Sequence, residues 1–130
     1  MIPNRVVQVW WAELNIPGWE NFLPVLSADE QDRAARFVFV RDRRRFAASR
    51  GVLRNLLCQH IGGRPENVRF TYSAKGKPAL SDHFHQARIH FNLSHSEEIV
   101  VVGLACEPLG VDVEYLGRPV EEQAIAARLF

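Results

Sequence analysis

A chain of 130 residues with 47% hydrophobic and 24% charged residues has the size and balance of one globular core and is too short for two independent domains. No run approaches the ~20 apolar residues of a membrane span, and Met1-Ile2-Pro3-Asn4-Arg5 lacks the apolar stretch of a secretory leader, so the sequence predicts a cytoplasmic protein with no membrane role. The net charge of +1 is a cancellation, because the window from Arg33 to Arg54 holds eight arginines against one acid, Asp42, while acids gather late in the chain.

Val6 to Leu14 opens with β-branched and aromatic residues and predicts a strand, broken by Ile16-Pro17-Gly18. Trp19 to Val25 reads as a short helix. Ser27, followed by Asp29 and Glu30, is an N-cap with acids in the first turn and launches a helix to about Phe37. Asp42 to Ile61 carries Phe46, Leu53, Leu57 and Ile61 at helical spacing and ends at Gly62-Gly63, as a C-cap requires. Arg43, Arg44, Arg50 and Arg54 are expected on the outer faces of this long helix. Val68 to Ser73 alternates as a strand, and Ala74-Lys75-Gly76-Lys77-Pro78 turns the chain, glycine permitting a positive φ and proline fixing the exit. Arg88 to Leu93 alternates again, Ile99 to Cys106 predicts a strand buried on both faces, and Val111 to Tyr115 predicts a strand paired with it across a short loop. Pro119 at a helix N1 position, with Glu121 and Glu122 behind it, predicts a helix over 120–130. Cys58 and Cys106 have no CxxC spacing and read as two buried, reduced thiols.

A basic middle and an acidic end point to an anionic ligand with a cation to bridge it, or to solvated charged faces. In Gly110-Val111-Asp112-Val113-Glu114 strand alternation sends Asp112 and Glu114 to one side and the valines to the core. Two carboxylates roughly 7 Å apart by strand rise suit one Mg²⁺ completed by waters and phosphate oxygens, and they equally suit a plain polar strand face. Asn92-Leu93-Ser94-His95-Ser96 places donors at a strand end, with His95 either a phosphate donor or a surface residue capping the turn. There is no glycine elbow around Ser94 or Ser96, which argues against a Ser/His hydrolase. Lys77, between Gly76 and Pro78, is either an ammonium fixed near a ligand or an ordinary exposed turn residue. Phe37, Phe39 and Phe46 fall at core spacing and are not interleaved on a basic strand, so the arginine run is a weak nucleic-acid platform.

The order of these features resembles the long, Sfp-type 4′-phosphopantetheinyl transferases across the whole chain. It runs through a Ser-Ala-Asp-Glu helix, Arg-Asp-Arg-Arg-Arg-Phe, a strand into Gly-Lys-Pro, Phe-Asn-Leu-Ser-His-Ser and Gly-Val-Asp-Val-Glu. The resemblance implies an α+β fold, one lobe of a pseudo-dimer with a small antiparallel sheet packed with helices, and coenzyme A and Mg²⁺ in the cleft between lobes. It implies transfer of the phosphopantetheine arm of coenzyme A to a serine of an apo acyl, peptidyl or polyketide carrier protein, releasing 3′,5′-ADP, as in holo-acyl-carrier-protein synthases.

Carried over by position, the resemblance makes Asp112 and Glu114 the catalytic Mg²⁺ ligands. It places Arg45 and His95 on the 3′-phosphate of coenzyme A, lines the nucleotide pocket with Gly76, Lys77 and Pro78, and sets Ser94 beside the adenine. Arg33 falls where the family often has a basic phosphate contact. Glu30 falls where some members have a second, and its charge is reversed.

No segment matches the Trp-x-x-Lys-Glu-Ala-x-x-Lys type motif of the family's second half. The expectation is therefore an N-terminal lobe over 1–115 and a linker with the first helix of a C-terminal lobe over 116–130, catalytically incomplete by itself and pairing with that missing half or with a second copy. The competing expectation is a non-catalytic module that holds phosphate, nucleic acid or an acidic protein on the arginine-rich helix.

Overall fold

The computed structural model describes residues 2–115 and 123–129. Strand β1 (Gln8–Glu13) and a 3₁₀ turn (Trp19–Val25) precede helices α1 (Ala28–Arg36) and α2 (Val40–Ile61). A second 3₁₀ turn (Pro65–Asn67) leads to β2 (Phe70–Tyr72) and β3 (Pro78–Leu80). A third (Asp82–Ala87) leads to β4 (His90–Ser96), β5 (Ile99–Ala105), β6 (Leu109–Tyr115) and β7 (Gln123–Leu129). The α+β class is as expected. The single core expected from length resolves into two compact units, a helical one of Glu13–Val68 and a sheet one made of the described residues of 1–12 and 69–130. Among the described residues, no helix is long and apolar enough to cross a membrane.

In the helical unit, α1 begins with a capping box. The Glu30 amide donates to Ser27 Oγ at 3.4 Å, and the Ser27 amide donates back to Glu30 Oε1 at 2.9 Å, satisfying two of the donors that a helix start leaves open. Helix α2 ends where Gly62, at φ 78°, donates its amide to Cys58 O. Ala47, Ala48, Leu53, Leu56 and Leu57 are buried along it. Gly51 is required by close approach: a Cβ there would lie 2.0 Å from the Phe22 ring.

Arg50 and Arg54 correct the sequence reading. They are not on an outer face but are 4% and 1% exposed. Glu30, 1% exposed, receives both: Arg50 Nη1 lies 3.1 Å from its Oε2 and Arg54 Nη2 2.6 Å from its Oε1. Arg54 also donates from Nη1 to the carbonyls of Pro65 (2.9 Å) and Val68 (2.7 Å). A guanidinium enters a core only when its charge and its fork of donors are matched. Here one carboxylate and the carbonyls of the loop after α2 match them.

In the sheet unit, β5 is the central strand of the order β1-β5-β4, and its run from Val100 to Ala105 is buried as predicted. Strand β4 extends to Ser96, paired with Ile99, so the Asn92–Ser96 motif lies within the strand and not past its end. The β2–β3 hairpin pairs Tyr72 with Pro78. Its turn forms as expected: Gly76 sits at φ 83°, the Ser73 amide donates to Lys77 O, and the Lys77 amide donates to Ser73 Oγ at 3.1 Å.

Two further expectations are overturned. Strand β6 does not ladder with β5; it pairs antiparallel with β7, from Leu109↔Leu129 to Tyr115↔Gln123. Residues Gln123–Leu129 are therefore a strand and not a helix. A lone β6 would present unpaired backbone groups, and a seven-residue ladder outweighs the modest helix preference of an alanine-rich segment. The proposed helix start at Pro119, Glu121 and Glu122 lies outside the described residues. Strand β6 is held instead by its apolar side: Leu109, Val111 and Val113 cluster with Val101 and Ala105. Gly103 makes the fit close, because a Cβ there would lie 2.4 Å from Val111 Cγ1 and 2.8 Å from Leu109 Cδ1. Gly103→Ala is expected to overpack this contact and cost about 1–3 kcal/mol, read as a lower urea midpoint.

Candidate functional site

Period-two alternation on β6 does what the sequence predicts. Val111 and Val113 are 8% and 4% exposed, whereas Asp112 and Glu114 are exposed. Strand β4 fastens this segment. The Val111 amide donates to Asn92 Oδ1 at 2.8 Å, and Ser94 Oγ donates to Asp112 Oδ1 at 3.3 Å, an oxygen that also accepts from the Val113 amide at 3.0 Å. Asn92 and Ser94 are two residues apart and share a face of β4. Together they set where the Asp112 carboxylate sits. Sequence reasoning gave Asn92 no role; the available signal was its two-residue spacing from Ser94. Strand alternation puts His95, which is exposed, on the other face of β4, with Phe91 and Leu93.

A pocket of about 430 Å³ lies beside the hairpin, lined by Tyr72, Lys77, Pro78, His90 and Leu109 among others, a size suited to a small-molecule ligand. Gly76 shapes the turn without lining the pocket. Tyr72 and His90 were not anticipated there. Phe70 packs edge-to-face on Phe91, ring centroids 5.7 Å apart, and so secures the hairpin beside β4.

Arg33 and Arg45 belong to the helical unit, while Gly76, Lys77, Pro78, Ser94, His95, Asp112 and Glu114 belong to the sheet unit. Arg33 is exposed in the last turn of α1, its Cζ 4.8 Å from the centroid of the Phe46 ring. Arg45 is half-buried on α2. Glu30 is no surface contact at all, being consumed by Arg50 and Arg54.

Both cysteines are free and half-buried rather than buried. Burial pushes the Cys58 thiol above its ordinary range and the charge of Glu66 adds to this, while Arg54 pulls the other way. A raised thiol pKa means less thiolate at a given pH. Alkylation of Cys58 by iodoacetamide at pH 8 is thus expected to be slower than that of a small free thiol, with the rate still rising beyond the thiol's ordinary titration. A rate equal to the free thiol's would contradict it.

The sheet unit thus carries an exposed D-x-E pair on β6, braced by Asn92 and Ser94 of β4, and a pocket lined by Lys77 and Pro78 of the Gly-Lys-Pro hairpin. Residues 10–108 match the family described as 4′-phosphopantetheinyl transferase, N-terminal, and the chain belongs to that family. It is 38% identical over 127 residues to 4′-phosphopantetheinyl transferase HetI of Nostoc sp., which covers 95% of this chain and 54% of HetI. It is 36% identical over 95 residues to 4′-phosphopantetheinyl transferase gsp of Aneurinibacillus migulanus, covering 72% of this chain and 38% of gsp. Similarity to 4′-phosphopantetheinyl transferase Sfp of Bacillus subtilis is 27% over 111 residues, covering 85% of this chain and 47% of Sfp. The chain spans about half the length of these curated relatives.

Proposed function

We propose that this chain is the nucleotide-binding lobe of a cytoplasmic, Mg²⁺-dependent transferase that moves the phosphopantetheine arm of coenzyme A to a carrier-protein serine. The observation that carries this reading is the Asp112–Glu114 pair, exposed on one face of β6 and braced through Ser94 Oγ at 3.3 Å. Hard, exposed carboxylate oxygens fit Mg²⁺, which takes one or two carboxylates and keeps its other positions for water and phosphate. Among the described residues no group of three or more His, Cys, Asp or Glu side chains forms a closed cage, and this ion does not require one. When bound, Mg²⁺ supplies charge neutralisation at the pyrophosphate.

On this reading Asp112 and Glu114 hold the ion. Lys77 and Pro78 of the sheet unit receive the nucleotide in the hairpin pocket with Gly76 shaping the turn, Ser94 borders the adenine and His95 binds phosphate; for Arg33 and Arg45 of the helical unit, phosphate binding is what the resemblance implies. The serine oxygen of the carrier forms the new bond to phosphorus as the bond to 3′,5′-ADP breaks, and the serine proton passes to a base. The resemblance assigns that base to the second lobe, so these 130 residues alone are expected to bind coenzyme A without appreciable turnover. Pairing with a C-terminal lobe, or with a second copy, completes the same reading.

The test uses protein that carries this lobe together with a C-terminal lobe, incubated with coenzyme A, Mg²⁺ and apo carrier proteins. Intact mass spectrometry is expected to show addition of phosphopantetheine to a carrier. If carriers from fatty-acid, polyketide and peptide synthesis all remain unmodified, the reading fails. The competing module, which would hold nucleic acid or an acidic protein on the arginine helix, loses ground because Arg50 and Arg54 are buried on Glu30 and are not offered to a phosphate backbone.

A further inference from the structure

The helical unit holds a pocket of about 630 Å³, larger than the one beside the hairpin and sharing no lining residue with it. Every residue that lines it falls within Glu13–Val68. Trp19, Leu23 and Pro24 of the first 3₁₀ turn and Ala35 of α1 make it mainly apolar, while Gln31 of α1 and Arg43 of α2 supply its polar groups. Side-chain bonds to the backbone hold these walls in place. Gln31 Nε2 donates to the carbonyls of Leu23 (2.8 Å) and Leu26 (3.2 Å), which ties the turn to α1. Arg43 Nε donates to Phe37 O at 3.0 Å, which ties α2 to the end of α1.

The charge of Arg43 selects the ligand. The residue is half-buried, and its side chain's one hydrogen bond among the described residues uses Nε alone. No carboxylate among the described residues pairs with it, and none lines the pocket. A partly desolvated guanidinium gains most from an anion that presents two oxygens to its two remaining nitrogens. The apolar walls call for a water-shunning body attached to that anion, and the indole of Trp19 favours a ring. Phosphate alone offers nothing to those walls, and a hydrocarbon alone leaves Arg43 uncompensated.

We propose that this pocket binds a small aromatic carboxylate, its ring against Trp19 and Ala35 and its carboxylate on the Nη groups of Arg43. The site is independent of the nucleotide-binding reading, because it uses none of the residues named there.

The test is a titration of the 130-residue chain with 2-naphthoate in about 0.15 M salt, followed by calorimetry and by the tryptophan indole N–H resonances. Saturable binding is expected, with the Trp19 resonance shifting and those of Trp10 and Trp11, which do not line the pocket, unmoved. 2-Naphthamide, the uncharged analogue, is expected to bind about tenfold more weakly, the worth of a hydrogen bond to a charged group. Arg43→Gln should weaken naphthoate by a similar factor and leave the affinity for the amide unchanged. Ala35→Leu fills the pocket from an exposed position of α1, where leucine is a good helix former, and should abolish binding of both. Dispersed amide spectra check the fold of each variant, and the comparison of acid with amide on the wild-type chain needs no variant. Absence of a saturable Trp19 shift, or wild-type binding by Ala35→Leu, overturns the site. Equal affinities for acid and amide, wild-type naphthoate affinity in Arg43→Gln, or displacement of naphthoate by equimolar inorganic phosphate overturns the aromatic carboxylate as its ligand.

Discussion

Glu30→Gln is expected to destabilise the protein by about 3–5 kcal/mol, the cost of removing one partner from a buried ion network. The carboxylate is the shared counter-charge for Arg50 and Arg54, and all three groups are at most 4% exposed. A neutral amide removes the carboxylate charge that both buried guanidinium groups share, and it weakens the return bond to the Ser27 amide that closes the start of α1. The loss should appear as a lower urea midpoint with an unchanged slope. It should persist in high salt, because buried pairs are poorly screened. A control separates charge from packing: Glu30→Leu combined with Arg50→Leu and Arg54→Met is expected to lie closer to wild type than Glu30→Leu alone, since no uncompensated charge remains. It should still fall short of wild type, because Arg54 also serves the carbonyls of Pro65 and Val68. A wild-type midpoint for Glu30→Gln would show that the two arginines do not depend on the carboxylate.

Asp112→Asn and Glu114→Gln address chemistry rather than folding. Both side chains are exposed, so each replacement should change stability by no more than about 1 kcal/mol; Asp112 carries the larger share because it accepts from Ser94 and the Val113 amide. Transfer to an apo carrier, measured with a C-terminal lobe present, is expected to fall ~100-fold or more. Loss of about 3 kcal/mol of charge stabilisation at a phosphoryl centre corresponds to that factor. A second measurement separates the site from general damage: Mg²⁺ should tighten coenzyme A binding by the wild-type chain and have little effect on either variant. If both variants transfer at the wild-type rate, β6 is only a polar strand face. A phosphate-backbone binder working through the arginine helix would likewise be indifferent to them.

Some of this architecture is local and was therefore legible. The Ser27 cap with Glu30 three residues on, the Gly62 stop, the Gly76 turn and the alternation of Asp112 and Glu114 with two valines each depend on residues within about a turn or a strand of one another. Periodicity and backbone preference report such relations directly. The family was legible for the same reason: its motifs sit in short segments, and the order of those segments marks it. The partnerships were not legible. Arg50 and Arg54 read as surface charges because a helical pattern does not reveal a carboxylate twenty or more residues away. The 123–129 segment read as helix because its own preference says nothing of the open edge of β6 that it pairs with. The spacing of Asn92 from Ser94 placed both on one face of β4 but did not name the partner, the Val111 amide nineteen residues on.

By itself, then, the sequence determined where α1, α2 and most strands lie, which face of β6 carries charge, and the family to which the chain belongs, but not the extended state of 123–129. The tertiary structure decided which arginines are spent on the core, which strand completes β6, and how β4 sets the Asp112 carboxylate. Burial and strand pairing join groups by distance in space, and separation along the chain does not encode that distance.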